Sequence, residues 1–156
     1  MNSFETYYDF MDKYEKFYKK VRDEEENKLN ALLSNDIKKI EAVLFSYQKY
    51  VTEIQHYEEK RVELCEKLGF KGNSFADVIK NFEGEERKKL TEQKQRLENL
   101  VNNVSYMNKK SLEVADIQLK FVQEIAEHSP ENSKSYNAKG ESEAPLRNSN
   151  LLNKTI

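Results

Sequence analysis

Apolar residues at positions 4, 7, 8, 11, 14, 18, 21, 29, 32 and 33 are separated mostly by steps of three and four, the repeat of a helix with one apolar face. The spacing predicts a helix from about Ser3, which is placed to cap its start, to the turn-forming "SND" at residues 34–36. A second run begins at Ile37 and continues through Ile40, Leu44, Tyr47, Val51, Ile54, Tyr57, Leu64 and Leu68. Gly69 follows, in the place where a helix closes on a left-handed residue.

The stretch "LGFKGNS" then reads as a helix stop and a fresh N-cap, Asn73 or Ser74, for the short helix "FADVIKNF", which Gly84 ends in turn. Phe75, Val78, Ile79 and Phe82 are expected to close one end of the molecule. From Glu85 to about Glu127 there is neither glycine nor proline, which predicts a helix on the order of 60 Å long. Short connections make successive helices alternate in direction. The expected fold is therefore all-α: an antiparallel bundle of three long helices with coiled-coil-like packing and one short connecting helix. Residues 1–128 make the bundle. Residues 129–156 hold Pro130 and Pro145 amid Ser, Asn, Lys and Glu, and are expected to form a disordered tail. Tyr136 in "SYNAKG" and the apolar group Leu151, Leu152 and Ile156 stand out in it.

Composition narrows the function classes. The 26 basic and 28 acidic side chains are mixed at short range, so no basic stripe exists to neutralise nucleic-acid phosphates. "RDEEENK" at residues 22–28 is the one dense acidic run and reads as a solvated helix face with Glu–Lys pairs. No apolar run approaches the roughly 20 residues of a spanning helix, and the start lacks the order of a signal peptide; a cytoplasmic protein without membrane insertion is expected. Cys65, the single cysteine, reads as packing.

Catalytic chemistry has no candidates. "EIQH", Glu53 to His56, has the E-x-x-H spacing of di-iron bundles, but such sites need a second copy, and His128 follows "EIAE" one residue too far along. A phosphotransfer role for His56 is opposed by the acid in "HYEEK". No phosphate loop or nucleophile–base arrangement is present, so neither an enzyme nor a cofactor is expected.

What remains is surplus apolar surface. In "SLEVADIQLKFVQEIAE" one stripe is Leu112, Ala115, Leu119, Val122 and Ala126, and a second, rotated by about 100°, is Val114, Ile117, Phe121 and Ile125. The first is expected to pack in the bundle. The second either meets the other neighbouring helix or is bare. The last helix is about 10 residues longer than its neighbours, and an overhang at its C-terminal end leaves the second stripe open to a helical partner. The aromatics Phe4, Tyr7, Tyr8, Phe10, Tyr14, Phe17 and Tyr18 crowd the first helix and cannot all face one way; some are expected to be exposed.

From about residue 26 to 126 the chain resembles the FlgN flagellar export chaperones, through "LLSNDIKKIEAVL", "RVELCEKLGFKGNSFADVI" and "LENLVNNVSYMNKKSLEVADIQLKFV". The "KLGF…SFADVI" break carries most of the likeness, while Ser111 stands where the family has leucine. The resemblance implies a chaperone that binds the hook–filament junction proteins FlgK and FlgL, masks their terminal helices and delivers them to the export-gate protein FlhA. Val114, Ile117, Leu119, Phe121, Val122 and Ile125 are the expected client-binding residues, and Tyr136 and Gly140 the expected gate-docking residues. Weak self-association is expected without client. The competing reading is a coiled-coil scaffold that self-associates through its long helices; a metal-dependent bundle enzyme stands third.

Overall fold

The computed structural model describes residues 1–128, which form α1 (Ser3–Leu33), α2 (Ile37–Lys67), the short α3 (Phe75–Ile79) and α4 (Gly84–Glu127), with no strand among the described residues. The all-α bundle of three long helices and one short connecting helix is as the periodicity predicts. Local starts differ in detail. Asn2, not Ser3, caps α1: its Oδ1 accepts from the Glu5 backbone N–H at 2.8 Å while the Glu5 carboxylate accepts from the Asn2 N–H at 3.2 Å. Asp36 caps α2 and Ser74 caps α3. Gly84 does not end α3, which stops at Ile79; it opens α4 instead, in a left-handed conformation with φ +56°.

Cross-helix contacts set the topology. Tyr8 with Gln93, Glu15 with Arg96, Lys28 with Asn108 and Leu32 with Gln118 rise together, so α1 and α4 run parallel. Tyr7 with Phe70, Tyr14 with Tyr57 and Glu25 with Tyr47 run in opposite order, so α2 is antiparallel to α1. α1 packs along both α2 and α4, which scarcely meet each other. Its buried residues Tyr7, Met11, Tyr14, Tyr18, Val21, Glu25, Lys28 and Leu32 alternate steps of four and three, the seam of a coiled coil.

One end of the bundle is tightly closed. The Tyr57 ring stacks on Tyr14 at 5.0 Å and on Phe17 at 4.8 Å between ring centres, and Tyr7 sets its edge against Phe70 and Phe75. Phe82 reaches both Phe4 and Phe70, so the link and α3 cover the start of α1. Phe75, Val78, Ile79 and Phe82 are all buried there. None of the seven crowded aromatics of α1 is exposed, contrary to expectation, because α1 is the central helix and is covered on two sides.

Arg61 fastens this end. Its guanidinium is buried, pairs with Glu58 at 2.6 Å and donates to the Asn73 carbonyl in the link. Burial alone would lower the Arg61 pKa, but the hydrogen bond and charge of Glu58 outweigh it and hold the pKa above the ordinary value. Cys65 is buried beside it, and burial raises its thiol pKa against the opposing pull of Arg61.

Further along, the acidic run read as a solvated face contains a buried pair. Glu25 and Lys28 meet at 2.8 Å with Glu25 fully covered; Tyr47 of α2 donates to Glu25, and Lys28 donates to Asn108 of α4 at 3.0 Å. Lys28 also lies 4.0 Å from the centre of the Tyr47 ring. The surrounding charges of "RDEEENK" are on other faces of α1, but residues 25 and 28 fall on the seam, where α2 and α4 exclude water.

Candidate functional site

Beyond this polar layer the three helices stop covering one another. α1 ends at Leu33, and Gln118 of α4 makes the last bonds to the α1–α2 turn, donating to the Leu32 carbonyl and to Asn35 Oδ1 at 2.8 Å. Residues 119–127 then extend α4 by roughly 14 Å with no neighbouring helix among the described residues. The overhang is at the C-terminal end.

Its apolar side chains are in water. Ile117 is 67%, Phe121 61% and Ile125 55% exposed, while Val114 is half-buried. The first stripe fares no better: Leu112, Leu119 and Val122 are exposed and only Ala115 and Ala126 are half-covered. The expectation that it packs in the bundle fails because α2 does not lie against α4, so a second face of α4 meets no other helix among the described residues. All six residues named from sequence lie on this one segment, and five of them are exposed.

The same end holds apolar surface that the periodicity did not reveal. Because α2 starts where α1 ends, Ile37, Leu44 and Phe45 are placed beside the turn, and Phe45 at 82% exposure is more open than any residue of the α4 stripes. Leu33 adds to it from the end of α1. Ile37 and Leu44 fit the helical repeat and so read as core; Phe45 falls one residue off that repeat, which was the available signal.

Charge around the site is balanced. Lys120 pairs with Asp116 at 2.9 Å and Lys110 with Glu113 at 3.3 Å along α4, so the rim carries both signs and selects no strongly charged ligand. Beneath it, burial and then the Glu25 charge push the Tyr47 hydroxyl well above the ordinary tyrosine pKa. Ser111 of α4 is buried and its hydroxyl has no hydrogen-bond partner among the described residues. The open end offers several aliphatic side chains and one or two rings to an apolar helix face.

The other sequence candidates lie elsewhere. Glu53 and His56 are exposed beside the α1–α2 seam, lining a cleft with Lys13 and Lys60, and no group of three metal-ligating side chains occurs among the described residues. Tyr136 and Gly140 lie outside the described residues. No helix among them is long and apolar enough to cross a membrane. Compared with known proteins, the chain matches a family model described as FlgN protein over residues 1–144. No curated protein and no solved structure matches it.

Proposed function

The chain belongs to the FlgN family, flagellar export chaperones for hook-associated proteins and not an enzyme family, and on that premise we propose that its open end is the client site. The clients in this reading are FlgK and FlgL, held in the cytoplasm through an apolar helix laid on Val114, Ile117, Leu119, Phe121, Val122 and Ile125. The observation that carries it is the segment of α4 past Gln118, apolar on two faces and covered by neither α1 nor α2. A secreted subunit whose terminal helices pack together in the finished structure presents the complementary surface, and covering it delays assembly. Burying Phe121 and Ile125 contributes about 2 to 3 kcal/mol each by area, before ordering costs are subtracted. Residues 129–156 serve as a separate arm in this reading: Tyr136, with Gly140 nearby, docks the loaded chaperone on FlhA, weakly enough for release.

The test replaces Phe121 and Ile125 together with glutamate. FlgK binding by titration calorimetry is expected to weaken by at least about 10-fold with helical content unchanged, since two desolvated charges replace two anchors. Unfolding of the variant, or full affinity, refutes the site. Truncation after residue 128 and Tyr136→Ala are expected to leave FlgK binding intact and to abolish capture of the complex by the soluble part of FlhA. Micromolar self-association of the free chain that survives the double glutamate variant supports the scaffold reading instead.

A further inference from the structure

Lys13, Lys16 and Lys20 recur by three and four along α1, and Lys49, Glu53, His56 and Lys60 recur by four and three along α2. The fold sets these two rows on either side of the α1–α2 seam, where two adjoining clefts of about 360 and 300 Å³ share Lys13, Glu53 and Tyr57. The floor is aromatic: Phe17 is stacked between Tyr50 and Tyr57, the two tyrosines half-buried. All five lysines are exposed, and Glu53 is the one acid among the lining residues.

Most of that positive charge is uncommitted. Lys16 pairs with Asp12 at 2.7 Å, but Lys13, Lys20 and Lys60 form no ion pair among the described residues, and Lys49 faces only the Tyr50 ring at 5.3 Å. In a chain of net charge −2 whose charges are mostly mixed at short range, such a group is a local departure. It is also remote from the client face. Glu15 turns toward α4 through Arg96, and Lys13, Phe17 and Lys20 lie about 140 to 200° around α1 from Glu15.

We propose that this seam is a second docking surface, for an acidic amphipathic helix of a protein partner. The spacing decides the occupant. Lys13, Lys16 and Lys20 on the α1 wall are three and four residues apart, about one helical turn, the separation of carboxylates at i, i+3 or i+4 and i+7 of a facing helix, while Lys49 and Lys60 stand about three turns apart at the two ends of the α2 wall. Between the three lysines of α1 and the two of α2, the tyrosine floor receives an apolar stripe and excludes water beneath the charges. The rows are about two to three helical turns long, which fits a short helix and not a single anion. Free phosphate would need converging, buried donors, and these cations are exposed and spread out. A membrane surface would need apolar side chains projecting past the lysines, whereas here the rings are recessed below them.

The experiment is fluorescence anisotropy of the full chain with a labelled amphipathic helical peptide, glutamates flanking a leucine stripe. Saturable binding is expected that weakens with added salt, falls by at least about 10-fold in the Lys13→Gln, Lys20→Gln, Lys49→Gln, Lys60→Gln variant, and is unchanged by Phe121→Glu with Ile125→Glu. A peptide with serines for the leucines is expected to bind more weakly. If the quadruple variant loses helicity, the single reversals Lys13→Glu and Lys60→Glu provide the same comparison. Absence of binding, equal affinity for the lysine variants, or loss of binding in the open-end variant overturns the proposal. Lysine-dependent binding of phosphatidylserine vesicles without binding of the peptide also overturns it, in favour of a membrane.

Discussion

Glu25 and Lys28 occupy seam positions where the preceding residues of the repeat are Tyr18 and Val21. Charge there is tolerated because each member is bonded twice over: Glu25 to Lys28 and Tyr47, Lys28 to Glu25 and Asn108. Desolvation makes the pair weak as a source of stability, but severe when halved. Lys28→Met is therefore expected to cost about 3 to 5 kcal/mol in urea unfolding, by leaving a buried carboxylate without its cation, whereas Glu25→Leu together with Lys28→Met costs much less. If the single and double variants unfold alike, the pair is wet and its burial is wrong. The layer also explains why α1 stays in register with both neighbours, since a shift of one turn on either side breaks one of its bonds.

At the scale of elements, the link and α3 act as a plug for one end. Its geometry depends on Gly72, which has φ +80° and whose added Cβ would come within 2.8 Å of the Asp77 side chain. Asp77 is itself engaged, accepting from Ser74 Oγ at 2.7 Å and from Lys80 at 2.9 Å, and the Lys80 and Ser74 hydrogen bonds hold its pKa below the ordinary carboxylate value. Phe75 is the plug's buried anchor against Tyr7. Phe75→Ala is expected to lower unfolding free energy by about 3 to 5 kcal/mol, measured by denaturant titration, with client binding at the far end retained in the folded fraction. A cost below about 0.5 kcal/mol shows that α3 is not part of the core.

Taken whole, the molecule is graded from a sealed aromatic end, through a polar layer, to an open apolar end. Tyrosines lie in both of the first two zones. Burial raises the pKa of Tyr7 despite the opposing pull of Arg61, raises that of Tyr18 with help from Tyr14, and raises that of Tyr47 with help from Glu25. The folded state thus keeps these protons more tightly than the unfolded chain does, so their contribution to stability is complete below an ordinary tyrosine pKa of about 10 and is lost as pH rises above it toward the folded values. Stability is expected to fall steeply above about pH 10, with ionisation of these tyrosines, followed by absorbance, coinciding with loss of helical signal. Tyr47→Phe is expected to flatten that slope. Ionisation of all the tyrosines while the helices persist contradicts their burial.

Helix number and the break at residues 68–74 were legible in the chain because periodicity, caps and left-handed glycines are local; Gly69 and Ser74 act as their positions predict, whereas the cap of α1 is Asn2 and not Ser3, and Gly84 opens α4 and does not end α3. The apolar segment Ile117 to Ile125 was legible for the same reason, and "KLGF…SFADVI" pointed to the family that the match over residues 1–144 establishes. Which stripe meets which neighbour was not local. A repeat says that a face is apolar, not that another helix arrives to cover it, so Ile37, Leu44 and Leu112 read as core yet are exposed. Conversely, Glu25 and Lys28 read as surface yet are buried, because their partners come from elsewhere in the chain, and the burial of Arg61 had no local signal, because it bonds a link whose path depends on the whole fold. Local spacing determined the helices; the central position of α1, with α2 and α4 apart on either side of it, decided what each helix covers and what it leaves open.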